Sequence, residues 1–203
     1  MTMEYRSQLI DRVQFAAQLG AGRKVLDIGA QHALNHDVTH PFGASYRRII
    51  TGASSYEIFD RDAKEGVKYV GDLNTPEGRQ KLLTALREFS PDVILLMEIL
   101  EHLNYPCEVM DTLAEHLQKN PKTVLFVTLP NNGNWILNWL NWHQDHNVAF
   151  FKSIAERFVT RSGLGKCRIT MYPCMQKYMW YWWVIYLLSF GQPFNWGFLV
   201  TAE

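Results

Sequence analysis

The chain has 203 residues, 20 Lys and Arg against 20 Asp and Glu, and 47% hydrophobic side chains. This length favours one domain over residues 1–203, with a substantial core. The balanced charge provides no overall field toward nucleic acid or acidic lipid, so a nucleic-acid substrate is disfavoured. The cysteines are odd in number, widely spaced and without a metal pattern, which predicts reduced thiols and a cytoplasmic location. The charged first residues do not match a signal peptide.

The first predicted elements are a helix and a strand. An amphipathic helix is predicted over residues 6–19 and ends at the glycines that follow. The apolar run Val25-Leu26-Asp27-Ile28 predicts a buried parallel strand, with Asp27 facing the crevice at the carboxyl edge of the sheet. Gly29 allows a tight turn and a close approach of a ligand, because it has no Cβ. Taken alone, an ordinary strand and turn explains this run equally well.

Two further strands are predicted next, and each ends on an acid. The polar stretch 32–52 is predicted to be a loop with at most one helical turn. Strands follow at 56–60 and 66–73, with Asp60 and Asp72 at their carboxyl ends. Thr75 and Pro76 have the pattern of a helix start, which predicts a helix to about residue 89.

The remaining elements continue the alternation of strands and helices. Strands are predicted at 91–98, 123–129, 169–172 and 196–201, and helices at 107–118, 135–142 and 153–162. This order predicts an α/β fold with a Rossmann-like, seven-stranded and mostly parallel sheet that has helices on both faces. We expect residues 1–130 to form the cofactor half of the domain and 131–203 the acceptor-side half.

Four acids at successive strand ends indicate a ligand: Asp27, Asp60, Asp72 and Glu98. Charges at the edge of a core are costly unless something pairs with them. A carboxylate can accept both vicinal hydroxyls of a ribose, as predicted for Asp60. Asp72 can accept an adenine amine, and Asp27 can hold an ammonium. These groups together describe S-adenosylmethionine, whereas a dinucleotide would need a glycine-rich turn for its pyrophosphate.

The same motifs resemble those of the class I S-adenosylmethionine-dependent methyltransferases. Residues 25–29 are similar to the first motif of the family, 56–60 to its ribose-binding strand and 70–73 to its adenine-side strand. Glu98-Ile99-Leu100-Glu101-His102-Leu103 resembles a glutamate-rich stretch of the ubiquinone-biosynthesis-like and sugar-modifying branches. Leu129-Pro130-Asn131 and Asp145-His146 with Phe150-Phe151 fit the same branch.

This resemblance covers about residues 23–164 and implies S-adenosylmethionine as the cofactor. The cofactor-binding residues that it implies, together with the strand-end argument, are Asp27, Gly29, Ala30, Gln31, Asp60, Arg61, Asp72, Leu73, Glu98 and Ile99. The chain departs from the family directly after the first glycine, where Ala30-Gln31-His32 replaces the usual Cys or Ser and a second glycine. A catalytically degenerate binding or scaffold protein therefore stays open as the alternative function.

Histidines are the candidates for catalysis, since an oxygen acceptor usually needs a base that titrates near neutral pH. His102 follows the fourth predicted strand, and His146 lies in a late loop toward the acceptor side; His143 is a weaker candidate. The alternative for His102 is a helix-start residue bonded to the backbone. No metal site is predicted, because a third ligand beside His143 and His146 is not evident. Glu101 is interpreted as structural.

The acceptor is predicted to be a small molecule that is methylated on oxygen or nitrogen. Its pocket would come from residues 131–151 and from the aromatic segment 178–186, whose tryptophans can stack against a ring. The apolar run 179–188 is too short to span a membrane. Packed core or the face of a homodimer is its favoured interpretation, with a pocket wall or a membrane-surface contact as alternatives.

Overall fold

A computed structural model describes residues 3–30, 41–139, 146–175 and 180–202, without the side chains of 41–45 and 180–182. Within these residues the strands are β1 (Met3–Tyr5), β2 (Ile10–Asp11), β3 (Lys24–Ile28), β4 (Ser55–Asp60), β5 (Tyr69–Val70), β6 (Val93–Met97), β7 (Val124–Pro130), β8 (Arg168–Met175) and β9 (Asn195–Thr201). The helices are α1 (Arg12–Gly20), α2 (Pro41–Gly52), α3 (Pro76–Phe89), α4 (Pro106–Lys119), α5 (Trp135–Trp139), α6 (Lys152–Arg161) and α7 (Trp180–Leu188). Short 3-10 turns lie at Leu100–His102 and Gly163–Lys166.

The described strands form one sheet in the order β1-β8-β9-β7-β6-β3-β4-β5, with β2 also paired to β8. β9 runs antiparallel to both of its neighbours, and the other strand pairs are parallel. The predicted α/β class is confirmed, and the predicted parallel sheet holds in part. The predicted number of seven strands is wrong, because nine are present among the described residues. The additional β1 and β2 are too short to show a period-two pattern in the sequence.

Two other predictions of local structure are also corrected. The first helix begins at Arg12 rather than at residue 6, because Asp11 caps it: its Oδ1 accepts hydrogen bonds from the backbone N–H groups of Val13 and Gln14 at 3.0 and 2.9 Å. The stretch predicted as a loop over 32–52 contains the twelve-residue helix α2. Gly43 and Gly52 obscured this helix, since glycine is a poor helix former.

The core lies on both faces of the sheet, as predicted. Side chains alternate along each strand, so Leu26 and Ile28 face the cluster that includes residues of α3, α4 and α6. Val25 faces the opposite cluster, to which α1 and α2 contribute. This alternation places Asp27, between Leu26 and Ile28, on the same face as Val25.

Residues 180–188 of the aromatic segment form α7, and among its described side chains, those of 183–188, some pack against the rest of the domain and others are exposed. Ile185 and Tyr186 contact a small cluster around Phe194, whereas Leu187 and Leu188 are 71% and 59% exposed. The interpretation as packed core therefore holds for Ile185 and Tyr186, and the dimer face stays a prediction. No helix in the described part of the chain has both the length and the apolar character needed to cross a membrane.

Candidate functional site

A cleft of about 280 Å³ opens at the carboxyl ends of β3, β4 and β5. This is the edge at which open α/β sheets bind their ligands. Its walls include six of the predicted cofactor residues, namely Gly29, Asp60, Arg61, Asp72, Leu73 and Ile99. The predicted catalytic residue His102 also lines it. The structure thus brings residues from four separate segments of the chain to one cavity.

The floor of the cleft is the turn at Gly29, which follows β3. Gly29 has a φ of +78°, a conformation that costs L side chains energy. Its N–H donates to the carbonyl of Phe59 at 2.8 Å, which fixes the turn against β4. A Cβ at this position would lie 2.1 Å from Cδ1 of Ile99. The backbone angle therefore favours glycine, and a Cβ here would also have to displace the end of the Ile99 side chain.

Asp60 and Asp72 lie side by side along the cleft. Asp60 ends β4, and its backbone carbonyl accepts a hydrogen bond from Gly71 N–H at 2.9 Å, which joins the two segments. Oδ1 of Asp72 accepts from Asn74 N–H at 2.9 Å, and this bond orients the carboxylate. Gly78 in the first turn of α3 packs on this segment, since a Cβ there would lie 1.8 Å from the Asp72 carbonyl oxygen.

Asp27 is buried instead of open to the cleft. It is 1% exposed, and Oδ2 accepts hydrogen bonds from the hydroxyls of Tyr46 and Tyr56, the latter at 2.8 Å. Burial raises the pKa of Asp27 from 3.8 to about 7, the two hydroxyl donors oppose this shift, and the nearby Asp60 adds to it. A direct contact of this carboxylate with an ammonium stays a prediction. Of its predicted neighbours, Ala30 is buried and Gln31 lies outside the described residues.

The Glu98 carboxylate also binds other groups of the protein and does not border the cleft. Its Oε1 accepts from the Thr128 hydroxyl at 2.8 Å and lies 3.0 Å from Nη1 of Arg12, and its Oε2 accepts from the Asn195 amide at 2.6 Å. Its φ of +58° turns the chain after β6 and sets this direction. Asp27 and Glu98 thus lie at strand ends on the predicted edge of the sheet, but neither borders the cleft, and their contacts with a cofactor stay predictions.

The two predicted catalytic histidines lie next to each other. The ring centroids of His102 and His146 are 5.0 Å apart in an edge-to-face arrangement. Backbone bonds hold the two segments together, because the N–H groups of Asn147 and Val148 donate to the Glu101 carbonyl at 2.7 and 3.1 Å. The Asn147 amide also donates to the His102 carbonyl at 2.8 Å. His143 lies outside the described residues.

Glu101 is the residue of this region whose importance the sequence did not indicate. Its side chain is fully buried, and neither carboxylate oxygen has a hydrogen-bond partner among the described residues. Burial raises the pKa of Glu101 well above its ordinary value, and the nearby Glu98 raises it further. Its Oε1 lies 3.9 Å from Nε2 of His102. The adjacent acid and histidine in Glu101-His102 were the signal available in the sequence.

The sheet order and the cleft at its carboxyl edge define a Rossmann-like α/β fold, in which this edge is the usual place for a ligand. Residues 1–164 match the sequence profile of the Methyltransf_23 family, described as a methyltransferase domain. The chain belongs to this methyltransferase family. The predicted class I methyltransferase assignment is thereby supported, whereas the narrower branch is not established by this match. The sequence matches no curated protein.

Three solved structures illustrate the similarity of fold. A chain of the complex between the Haloferax volcanii Trm112 methyltransferase activator and a methyltransferase is 12% identical, with 93% of this chain and 88% of that chain covered and a TM-score of 0.57. A SAM-dependent methyltransferase from Archaeoglobus fulgidus is 11% identical, with 92% and 89% covered and a TM-score of 0.57. The trans-methyltransferase CalH, complexed with SAH, is 14% identical, with 94% and 54% covered and a TM-score of 0.51. At these identities the likeness shows the fold alone.

Proposed function

We propose that the protein is an S-adenosylmethionine-dependent methyltransferase that methylates an oxygen or nitrogen atom of a small molecule. The observation that carries this proposal is the presence of Asp60 and Asp72 beside the Gly29 turn in one cleft. This set suits an adenosine ligand without a phosphate group. Membership of the methyltransferase family supports the same reading.

The cleft residues have separate roles in holding the cofactor. The Asp60 carboxylate accepts hydrogen bonds from the two ribose hydroxyls. Asp72 accepts from the exocyclic amine of the adenine, while Leu73 and Ile99 provide apolar contact with the ring. Gly29 lets the cofactor approach the backbone closely. Bound S-adenosylmethionine supplies an electrophilic methyl group on a sulfonium.

Transfer of the methyl group depends chiefly on alignment of the acceptor, and an acceptor O–H must also lose its proton. His102 lines the cleft, and His146 lies beside it. An imidazole here would take the proton of the acceptor while the new bond to the methyl carbon forms and the bond from that carbon to sulfur breaks, leaving S-adenosylhomocysteine. The balanced charge of the chain favours a small acceptor over nucleic acid.

Replacement of Asp60 by alanine tests the cofactor site. We expect Asp60→Ala to weaken binding of S-adenosylhomocysteine (SAH), the demethylated product, by about 10- to 100-fold, since a hydrogen bond to a charged group contributes about 1.5–3 kcal/mol. Titration calorimetry measures this loss. Glu88→Ala is the matched control, because Glu88 is an exposed acid in the last turn of α3 and does not line the cleft. Unchanged affinity in Asp60→Ala, or no heat with wild type at millimolar SAH, would contradict the proposal.

Label transfer tests the reaction and the kind of acceptor. With methyl-tritiated cofactor and a cell extract, we expect wild-type protein to label the small-molecule fraction and Asp60→Ala to lose this labelling. Label that is confined to the RNA or protein fraction would contradict a small-molecule acceptor. SAH binding without any transfer would instead favour the degenerate binding or scaffold protein.

A further inference from the structure

A compact set of possible metal ligands lies at one end of the cleft. Glu101, His102 and His146 each offer one ligand atom, and these atoms all lie within 4.8 Å of one another. Bonds from a transition metal to imidazole nitrogen or carboxylate oxygen are about 2.0–2.2 Å long. Two ligands at the tetrahedral angle around one ion are therefore about 3.3–3.6 Å apart, so closure by up to about 1.5 Å would complete the set.

The Glu101 carboxylate provides independent evidence for a ligand. It is fully buried, and both of its oxygens lack hydrogen-bond partners among the described residues. A buried carboxylate in this state costs several kcal/mol unless it is neutralised. Arg12 offsets part of this cost through its charge and forms an ion pair with Glu98, but it donates no hydrogen bond to either Glu101 oxygen. A divalent cation would satisfy both Glu101 oxygens and offset the buried charge.

The chain builds this region from two distant segments. The 3-10 turn at Leu100–His102 presents Glu101 and His102 on adjacent positions. The backbone bonds from Asn147 and Val148 to the Glu101 carbonyl bring His146 beside them. These bonds fix the backbone at both segments, so that rotation of side chains alone can close the set around an ion.

We propose that Glu101, His102 and His146 bind a divalent first-row transition-metal ion beside the cofactor cleft. Two imidazoles and one carboxylate suit Zn²⁺, Co²⁺, Fe²⁺ or Mn²⁺ better than Mg²⁺ or Ca²⁺, which prefer oxygen ligands. Three protein ligands leave coordination positions open, as in catalytic metal sites. Glu98 is not a ligand, because Arg12, Thr128 and Asn195 engage its carboxylate.

The ion would also act in the reaction. This catalytic role rests on the proposed methyl transfer, whereas the binding of the metal is independent of that proposal. An acceptor hydroxyl in an open position has a lowered pKa and becomes a stronger nucleophile. The imidazoles are then ligands, and solvent replaces them as the base described above. The hydroxyl proton passes to solvent, the oxygen bonds to the methyl carbon, and the bond from that carbon to sulfur breaks to leave SAH. The expectation of no metal site rested on the spacing of His143 and His146, and it did not anticipate the proximity of Glu101.

Cobalt binding to the full chain tests the proposal directly. After dialysis against EDTA, the protein is titrated with CoCl₂ and the visible absorption is followed. We expect one Co²⁺ per chain, and at least about 100-fold weaker binding in Glu101→Gln and in His146→Asn, since even partners of metal ligands contribute 10- to 100-fold. The double variant Glu115→Gln with His116→Asn is the control, because it removes another adjacent acid and histidine, on α4.

Two further measurements separate the possible outcomes. Glu101→Gln without metal is expected to melt at or above the temperature of wild type, because it removes a buried carboxylate that lacks a partner; a structural role for Glu101 predicts a lower temperature. Co²⁺ binding that is absent in wild type, or equal in wild type and both ligand variants, would overturn the metal site. SAH titration in EDTA tests the cofactor cleft separately, so retained SAH binding without Co²⁺ binding refutes the metal site alone.

Discussion

Gly29→Ala is expected to abolish SAH binding and to lower the free energy of unfolding by about 2–5 kcal/mol. A left-handed backbone at a residue with a Cβ costs about 1–2 kcal/mol, and the φ here is +78°. The new methyl group would also lie 2.1 Å from Cδ1 of Ile99. Ile99 lines the cleft, so its displacement occupies the space of the cofactor. Urea denaturation and SAH calorimetry measure the two effects.

Gly22→Ala is the matched control for this substitution. Gly22 has a similar φ of +69°, but a Cβ there would meet no atom within 4 Å. The free energy of unfolding of Gly22→Ala should therefore fall only by the cost of the left-handed backbone, about 1–2 kcal/mol, and the variant should retain SAH binding. The double variant Gly29→Ala with Ile99→Ala removes the clashing atoms and should recover part of the binding. The account is wrong at this position if Gly29→Ala behaves like Gly22→Ala in both assays.

Asp27→Asn is expected to remove a large pH dependence of stability. The folded-state pKa of Asp27 is raised from 3.8 to about 7 by burial. The folded protein therefore keeps a proton that the unfolded chain releases. The stabilising contribution of Asp27 is fully present below pH 4 and is lost as the pH rises through about 7. At about 1.4 kcal/mol for each pKa unit, the loss amounts to at most about 4 kcal/mol.

The measurement is urea denaturation of wild type and Asp27→Asn between pH 4 and pH 8. The stability of the variant relative to wild type should increase with pH up to about pH 7 and then remain constant. Glu88→Gln removes an exposed carboxyl group and should leave the profile of wild type unchanged. A relative stability that is constant across the range, or falls with rising pH, would show that Asp27 is ionised in the folded state.

The sequence was informative where function depends on strand ends. Asp60 ends β4 and Asp72 lies two residues after β5, and parallel strands bring their carboxyl ends to a common edge. Asp27 and Glu98 have the same sequence pattern but different surroundings. Asp27 lies on the sheet face covered by α1 and α2. Glu98 itself has a left-handed backbone conformation, and its carboxylate forms an ion pair with Arg12. A pattern of acids at strand ends does not distinguish these cases.

Long-range contacts explain what the sequence could not predict. His146 reaches His102 because backbone bonds from Asn147 and Val148 join the two segments, and no local periodicity encodes such a pairing. The burial of Glu101 follows from the same contact. β1 and β2 likewise exist through pairing with β8, which lies at the other end of the chain.

The central claim is that the cleft between Gly29, Asp60 and Asp72 holds an adenosine cofactor. A crystal structure of the protein grown with saturating SAH tests it most directly. The account predicts both ribose hydroxyls within hydrogen-bond distance of the Asp60 carboxylate, and the adenine amine at Asp72. SAH bound elsewhere on the protein, or a cleft that stays empty at saturation, would contradict it.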